Sequence, residues 1–241
     1  MKGKNIMKKV IGIIFADPME YSPFEEYVRD KKPEYEKRFS NESFSFSLGS
    51  GENEIEVISV KAGVGKTNVA MATALLIACD KADIILNAGL SGAVSDCLRG
   101  DILFGDTYVE CDFDLTSIGY KPAEKPDNQR YIYCADEKLK ELCKKAGLKS
   151  GNFGSGDIFL TDKEKKNYFK EVFSLNAFDM ETGAIAAVCD KCGVPFISLR
   201  KMSDDAENAA YESYREMNEA QEKCLSDVLM NLIEQILNAD L

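Results

Sequence analysis

Three short apolar runs constrain the fold of this chain more than any other feature of its sequence. Lys9–Phe15 (KVIGIIF), Ala82–Asn87 (ADIILN) and Val194–Leu199 (VPFISL) are rich in β-branched residues and short, which is typical of buried strands. Helix-like segments lie between them, among them Thr67–Cys79 and the small-residue segment Ala184–Cys189. Strands that alternate with helices predict an α/β fold, with a mostly parallel or mixed sheet and helices on both sides.

The remaining pattern predicts further elements. Ser43–Leu48 and Glu54–Val60 are expected to form a hairpin early in the chain. Pro23 suits the first turn of a helix near Ser22–Arg29, and Asp162 suits the N-cap of a helix that runs to Phe173. A long helix is expected over Tyr211–Leu237 at the end of the chain, and the polar stretch Lys31–Asn41 is expected to be solvated surface. Ala88–Ala93 is expected to be a small-residue loop, and Asp112–Arg130 a long connection.

Length, charge and cysteine usage narrow the class of protein. The 241 residues suffice for one hydrophobic core, so we expect a single domain over residues 1–241, with residues 1–8 as a flexible extension. The net charge of −11 argues against nucleic acid or an anionic membrane as a partner. No apolar run reaches the roughly 18 residues of a membrane span, and no signal peptide is expected. Eight cysteines without regular spacing favour reduced thiols and a cytoplasmic location.

The chain contains no histidine, so its acid–base chemistry must rest on carboxylates, lysine, tyrosine or cysteine. Glu20, Glu181 and Asp204 each follow the carboxyl end of a predicted strand, where α/β proteins bind their ligands. Glu181 admits a second interpretation, as a charge that the N-terminus of the next helix favours. Asp204 equally suits the N-cap of a following turn. Cys189 and Cys192 form a lone CxxC pair, so neither a metal nor a cofactor is expected.

Gly65-Lys66-Thr67 is similar to the end of a phosphate-binding P-loop. The full motif requires a glycine five positions before Gly65, and that position is Val60. We therefore expect a glycine turn that leads into a helix, rather than a site for a nucleoside triphosphate.

Seven segments occur in the order and at the spacing of a known family: IGIIFADPME, KAGVGK, NAGLSGA, DFDLTSIGY, SGDIFL, DMETGAIAAVC and VPFISLRKMSDDA. Together they resemble the 5′-methylthioadenosine/S-adenosylhomocysteine nucleosidases of the purine nucleoside phosphorylase-like superfamily, over nearly the whole chain. The resemblance implies a three-layer α/β fold with a central mixed sheet, or distorted barrel, flanked by helices. It also implies a homodimer that hydrolyses the N-glycosidic bond of an adenine nucleoside and needs no metal or cofactor.

The resemblance implies roles for individual residues. Asp204 matches the general acid that protonates N7 of adenine, and Ser203 matches the neighbour that holds this acid. Glu20 matches the carboxylate that activates the attacking water, and Glu181 matches the residue that binds the ribose hydroxyls. Met180 matches the residue that packs under the sugar, and Phe159 matches the ring that stacks on the purine, with the backbone of Leu160 as its hydrogen-bonding neighbour. Ile118 and Tyr120 match a loop that closes the 5′-alkylthio pocket of the partner subunit. Tyr211 matches an aromatic lid residue.

Two features favour water over phosphate as the nucleophile. Phosphorylases of the superfamily have an arginine at the position that matches Glu20, whereas a carboxylate there would repel phosphate. The segment Asn87–Ala93 also lacks an arginine. A phosphorylase, a hydrolase of another purine nucleoside and a non-catalytic nucleoside-binding protein remain the alternatives.

Three departures from the family leave the exact nucleoside and its 5′ substituent open. Leu90 stands where a serine often lines the substrate pocket, and Phe15 stands where a small glycine is usual. We expect Phe15 to crowd the site. The segment Asp205–Ala210 is shorter than usual, which is expected to reshape the lid over the base.

Overall fold

The computed structural model describes residues 8–38, 40–51, 53–204 and 219–239. Its helices and strands alternate along most of the chain, as the sequence predicts. In chain order they are β1 (Lys9–Phe15), α1 (Pro18–Tyr27), β2 (Glu34–Arg38), β3 (Asn41–Ser50), β4 (Asn53–Lys61), α2 (Lys66–Ala78), β5 (Ile84–Ala93), β6 (Ile102–Glu110), β7 (Ile132–Cys134), α3 (Glu137–Lys145), β8 (Lys149–Ser155), α4 (Lys163–Phe173), β9 (Ala177–Asp179), α5 (Thr182–Cys192), β10 (Phe196–Asp204) and α6 (Glu219–Asn238).

Five of the strands close into a distorted barrel. The hydrogen-bonded order is β5–β10–β6–β8–β9, and β9 pairs with β5 again. The pairs β5–β10, β6–β8 and β8–β9 are parallel, whereas β6–β10 and β5–β9 are antiparallel. From β5 the sheet continues through β1, β4, β3 and β2, with α2 and α5 packed together and α6 contacting α1, α3 and β10. The predicted mixed sheet flanked by helices is thus confirmed.

The carboxyl ends of β1, β5 and β10 meet at one edge of the sheet. The register pairs Ile14 of β1 with Asn87 of β5, and Asn87 with Ser198 of β10. Because the three strands are parallel, the residues that follow these positions collect in one place. Glu20 and Asp204, which are far apart in sequence, are brought to the same edge in this way.

The predicted start of the first helix was wrong. Helix α1 begins at Pro18 because the carboxylate of Asp17 accepts hydrogen bonds from the N–H groups of Met19 and Glu20, so Pro23 lies inside the helix instead of in its first turn. The polar stretch Lys31–Asn41, expected as solvated surface, contains the edge strand β2 at residues 34–38, which pairs with β3 and whose residues are mostly exposed.

Two strands extend further than the sequence indicates. The predicted loop Ala88–Ala93 is the second half of β5, where pairing with β9 and β10 holds the backbone extended. Strand β10 likewise continues from Leu199 to Asp204. The short strand β7 has no counterpart in the prediction. Residues 1–7 of the expected extension and residues 211–218 of the expected last helix lie outside the described residues.

None of the described helices combines the length and the apolar composition that a membrane span requires.

Candidate active site

A cavity of about 470 Å³ opens at the edge where β1, β5, β9 and β10 end. Eight of the residues predicted to form the site line it: Glu20, Leu90, Phe159, Leu160, Met180, Glu181, Ser203 and Asp204. A cavity of this size suits a small molecule. Its walls combine carboxylates, which accept hydrogen bonds from hydroxyl groups, with apolar and aromatic side chains.

Glu20 is held by the backbone on both of its carboxylate oxygens. Its Oε2 accepts from the N–H of Ala16 at 2.8 Å, and its Oε1 accepts from the N–H of Leu90 at 2.8 Å. The side chain is 6% exposed. Burial raises the pKa of this carboxyl group to about 8, although the positive charge of Arg200 opposes the rise. The group can therefore gain or lose a proton near neutral pH.

Glu181 does not cap the helix that follows it. The carboxylate of Asp179 accepts from the N–H groups of Glu181 and Thr182, both at 2.8 Å, and so caps α5. The Oε1 of Glu181 accepts from the N–H of Gly65 at 3.1 Å instead. Burial raises the pKa of the Glu181 carboxyl group, again against the effect of Arg200. Glu181 therefore lines the cavity and makes no capping hydrogen bond to α5.

Sequence reasoning missed Arg200, which is fully buried behind the cavity. Its guanidinium nitrogens lie 3.6 Å from Glu20 Oε1, 3.6 Å from Glu181 Oε2 and 3.4 Å from Asp179 Oδ2. It donates hydrogen bonds to the carbonyl of Leu90 at 3.0 Å and to Oδ1 of Asn87 at 2.8 Å. Burial alone would lower the pKa of Arg200, but the surrounding carboxylates raise it.

One permanent cation therefore faces three carboxylates. A signal for Arg200 was present in the sequence, since a charged residue directly after the apolar run VPFISL is unusual in a buried strand.

Gly89 allows Glu20 and Arg200 to approach β5. A Cβ atom built at this position would overlap both the carboxylate of Glu20 and the guanidinium of Arg200. The glycine is thus required by the close packing of this charged pair against the strand.

Asp204 and Ser203 line the same cavity from the end of β10. Both are buried, and the hydroxyl of Ser203 donates to Oδ2 of Asp204 at 2.6 Å. The same hydroxyl lies 3.3 Å from the carbonyl oxygen of Ser91. The turn that Asp204 was alternatively expected to cap begins at residue 205, outside the described residues.

Phe15 does not crowd the cavity, so that expectation was wrong. Its ring packs against Tyr21 and Phe24 of α1, with centroids 6.0 and 5.6 Å apart, and it is 1% exposed. Leu90 of β5, another departure from the family pattern, does line the cavity.

Two predicted residues of the described part of the chain, Ile118 and Tyr120, are not among those that line the cavity. Ile118 is 69% exposed on a short 3₁₀ turn, and Tyr120 lies two residues further along the same loop. Their role toward a partner subunit stays a prediction. Tyr211 and the segment 205–210 lie in the part of the chain that the structure does not describe.

The chain is similar to one family of known proteins over most of its length. A family model described as the phosphorylase superfamily matches residues 10–237. A 5′-methylthioadenosine/S-adenosylhomocysteine nucleosidase of Geobacillus thermodenitrificans is 33% identical over 197 residues, which are 78% of this chain and 83% of that protein.

Two solved structures from Helicobacter pylori have the same fold. One is a 5′-methylthioadenosine/S-adenosylhomocysteine nucleosidase with butyl-thio-DADMe-Immucillin-A, and the other is a futalosine hydrolase. Each has a TM-score of 0.88 and 26% identity, and the match covers 95% of this chain and 99% of the solved chain.

Proposed function

The chain belongs to the phosphorylase superfamily, and on that premise we propose that it hydrolyses the N-glycosidic bond of 5′-methylthioadenosine or S-adenosylhomocysteine, releasing adenine and the 5′-substituted ribose. The observation that carries the proposal is the cavity itself. Its lining combines the buried carboxylates of Glu20 and Glu181 with the hydrogen-bonded pair Ser203–Asp204.

Cleavage of a purine N-glycosidic bond builds positive charge on the ribose and negative charge on the base. We propose that protonated Asp204 gives its proton to N7, so that adenine leaves as a neutral molecule. Water attacks C1′ and transfers a proton to Glu20, which the N–H groups of Ala16 and Leu90 hold in place. Glu181 accepts hydrogen bonds from the ribose hydroxyls, and its negative charge favours the positive sugar.

We propose that Phe159 and Met180 complete the substrate site. Phe159 is 47% exposed at the cavity, and such a ring offers a flat face to a purine. Met180 precedes Glu181 and lines the same wall, where its side chain can pack under the sugar. The backbone of Leu160, next to the aromatic ring, offers hydrogen bonds to the edge of the base.

The charges around the cavity favour water over phosphate. Glu20, Glu181 and Asp179 surround the guanidinium of Arg200, so this cation is already shared among carboxyl groups and is not available to bind a phosphate dianion. A phosphorylase needs positive charge that is free to bind phosphate at this place.

The test is release of free adenine from 5′-methylthioadenosine in phosphate-free buffer, followed by chromatography. We expect turnover by the wild-type protein without phosphate, and a loss of at least about 10³-fold in kcat for Glu20→Gln, with nucleoside binding retained. Glu141→Gln, in an exposed ion pair on α3, is the matched control and should keep full activity. Undiminished turnover by Glu20→Gln would remove this residue from the mechanism, and turnover only with phosphate would reject hydrolysis.

A different 5′ substituent is the second candidate. The futalosine hydrolase matches this fold as well as the nucleosidase does, and Leu90 is a departure at the cavity wall. A panel of 5′-methylthioadenosine, S-adenosylhomocysteine, adenosine and futalosine separates the candidate substrates, because kcat/KM ranks the nucleosides directly. Binding of every nucleoside without release of base would favour a non-catalytic binding protein.

We propose that the chain acts as a single-domain protein that forms a homodimer in the cytoplasm. The loop 112–130 exposes Ile118, a large apolar side chain that a partner would cover. Seven described cysteines are free thiols, which fits a reducing compartment. Light scattering at micromolar protein concentration tests the dimer.

A further inference from the structure

The Gly65-Lys66-Thr67 segment, which the proposed reaction does not use, lies directly behind Glu181. The N–H of Gly65 donates to Glu181 Oε1 at 3.1 Å, and the N–H of Lys66 donates to Asp157 Oδ1 at 2.8 Å. Gly65 has a φ of 97°, a conformation that favours glycine. In a P-loop these two amide groups would bind phosphate, but here they bind the carboxylates of Glu181 and Asp157. The turn thereby fixes the position of Glu181 in the cavity.

The side chain of Lys66 completes a ring of hydrogen bonds. Its Nζ donates to Asp112 Oδ1 at 2.7 Å, and Asp112 Oδ2 accepts from the N–H of Asp157 at 3.0 Å. The carboxylate of Asp157 leads back to the N–H of Lys66. Three segments are joined in this way: the start of α2, the first residue of the loop 112–130, and the turn that precedes the cavity residues 158–160.

Lys66 is partly buried, so its positive charge interacts strongly with the nearby carboxylates. Its side chain is 19% exposed, and a second carboxylate oxygen, Oε2 of Glu110, lies 3.5 Å from its Nζ. Burial lowers the pKa of Lys66, but Asp112 and the other nearby carboxylates raise it by more, so the ammonium group stays charged at neutral pH. A partly buried ion pair of this kind is screened less than a surface pair.

We propose that Lys66 is a positioning residue for the nucleoside site. It ties the turn that precedes Phe159 and Leu160 to the turn that holds Glu181, and so sets the spacing between the side of the cavity that meets the base and the side that meets the ribose. The inference rests on the proposed function, but it assigns Lys66 no contact with the substrate.

Replacing Lys66 with methionine keeps the aliphatic stem and removes the charge. The KM for 5′-methylthioadenosine is expected to rise about 10-fold or more, because small displacements of binding groups are costly. The kcat should change by less than about 3-fold, since Glu20 and Asp204 keep their own hydrogen bonds.

Lys140→Met is the matched control. Lys140 is also partly buried, with an 11% exposed side chain, and its Nζ lies 2.9 Å from Asp106 and 2.6 Å from Glu137. It belongs to α3 and does not line the cavity. We expect both variants to lower Tm by similar amounts and only Lys66→Met to raise KM. An equal rise in KM for both would make the effect a general loss of stability and overturn the inference.

A double-variant cycle tests the ring itself. If Lys66 acts through Asp112, then Asp112→Asn alone and the double variant should raise KM by about the same factor as Lys66→Met. If the two substitutions raise KM independently, so that their factors multiply in the double variant, Lys66 does not act through Asp112. Asp112→Asn also serves if Lys66→Met does not fold.

The two proposals fail in different ways. An unchanged KM for Lys66→Met in an active protein would overturn the role of Lys66 and leave the proposed function intact. If the wild-type protein releases no adenine, the proposed function fails, and the dissociation constant for 5′-methylthioadenosine, measured by calorimetry on the same variants, replaces KM as the test.

Discussion

Replacing Glu20 with glutamine is expected to stabilise the protein, relative to wild type, as the pH rises from 6 to 9. The ordinary pKa of the carboxyl group is 4.5, and burial raises it to about 8 in the folded protein. The folded state therefore keeps a proton that the unfolded state releases. The stability that this group contributes is fully present below pH 4.5 and is lost as the pH rises through 8.

The size of the effect follows from these two pKa values. At about 1.4 kcal/mol per pH unit, the whole difference corresponds to about 5 kcal/mol. Between pH 6 and pH 9 the wild-type protein should lose about 2–3 kcal/mol of its free energy of unfolding through Glu20 alone. Glutamine cannot ionise, so the variant lacks this loss. Any cost of placing an amide beside the N–H groups of Ala16 and Leu90 is the same at both pH values and cancels in the comparison.

Urea unfolding at 25 °C measures this difference. The free energy of unfolding is determined at pH 6 and pH 9 for wild type, Glu20→Gln and Glu141→Gln. Glu141 is exposed and its pKa is lowered, so it is ionised at both pH values in both states and should show no such difference. If wild type and Glu20→Gln lose the same stability between the two pH values, within about 0.5 kcal/mol, burial does not raise the pKa of Glu20 as the geometry requires.

Three further predictions concern the same charged cluster. The kcat/KM of the wild-type protein should rise with pH as Glu20 ionises around pH 8, because Glu20 accepts a proton from water only when it is ionised, and should fall again where Asp204 loses the proton that it gives to N7; a profile without the rising limb would contradict the role of Glu20 as a base. Arg200→Met should lower the free energy of unfolding, measured with urea, by about 3–5 kcal/mol at pH 8. The loss should be smaller at pH 6, where the carboxyl groups of Glu20 and Glu181 can stay protonated. Equal losses at the two pH values would refute the pairing of Arg200 with these groups. Gly89→Ala should cost about 1–3 kcal/mol and reduce turnover, because its Cβ would displace Glu20 and Arg200; an active variant with unchanged Tm would show that the strand can move away.

The sequence predicted best what local patterns determine. Strand β1 has the predicted bounds Lys9–Phe15, and helix α4 begins after the N-cap Asp162, which accepts from the N–H groups of Glu164 and Lys165. The gathering of Glu20, Glu181 and Asp204 at one cavity also followed from their places after strands. Each of these inferences needs only a few neighbouring residues.

Long-range pairing accounts for what the sequence did not predict. The segment NAGLSGA is poor in strand-forming side chains, yet it is strand because β9 and β10 pair with its backbone. Arg200, Asn87 and Asp179 form one buried network although Asn87 precedes Arg200 by 113 residues, so no local pattern joins them. Their partners become visible only when the barrel closes.

The proposed mechanism takes both its acid and its base from carboxyl groups, and Arg200 explains how the proposed base can work near neutral pH. Without a buried cation, burial and mutual repulsion would raise the pKa values of Glu20 and Glu181 further, and no base would be ionised at neutral pH. With a cation for each carboxylate, the pKa values would fall and Glu20 would be a weak base. One guanidinium shared among three carboxylates leaves the pKa of Glu20 at about 8, close to the pH at which general-base catalysis is most effective. The charge balance around Arg200, more than the identity of any single acid, therefore fits this cavity for hydrolysis.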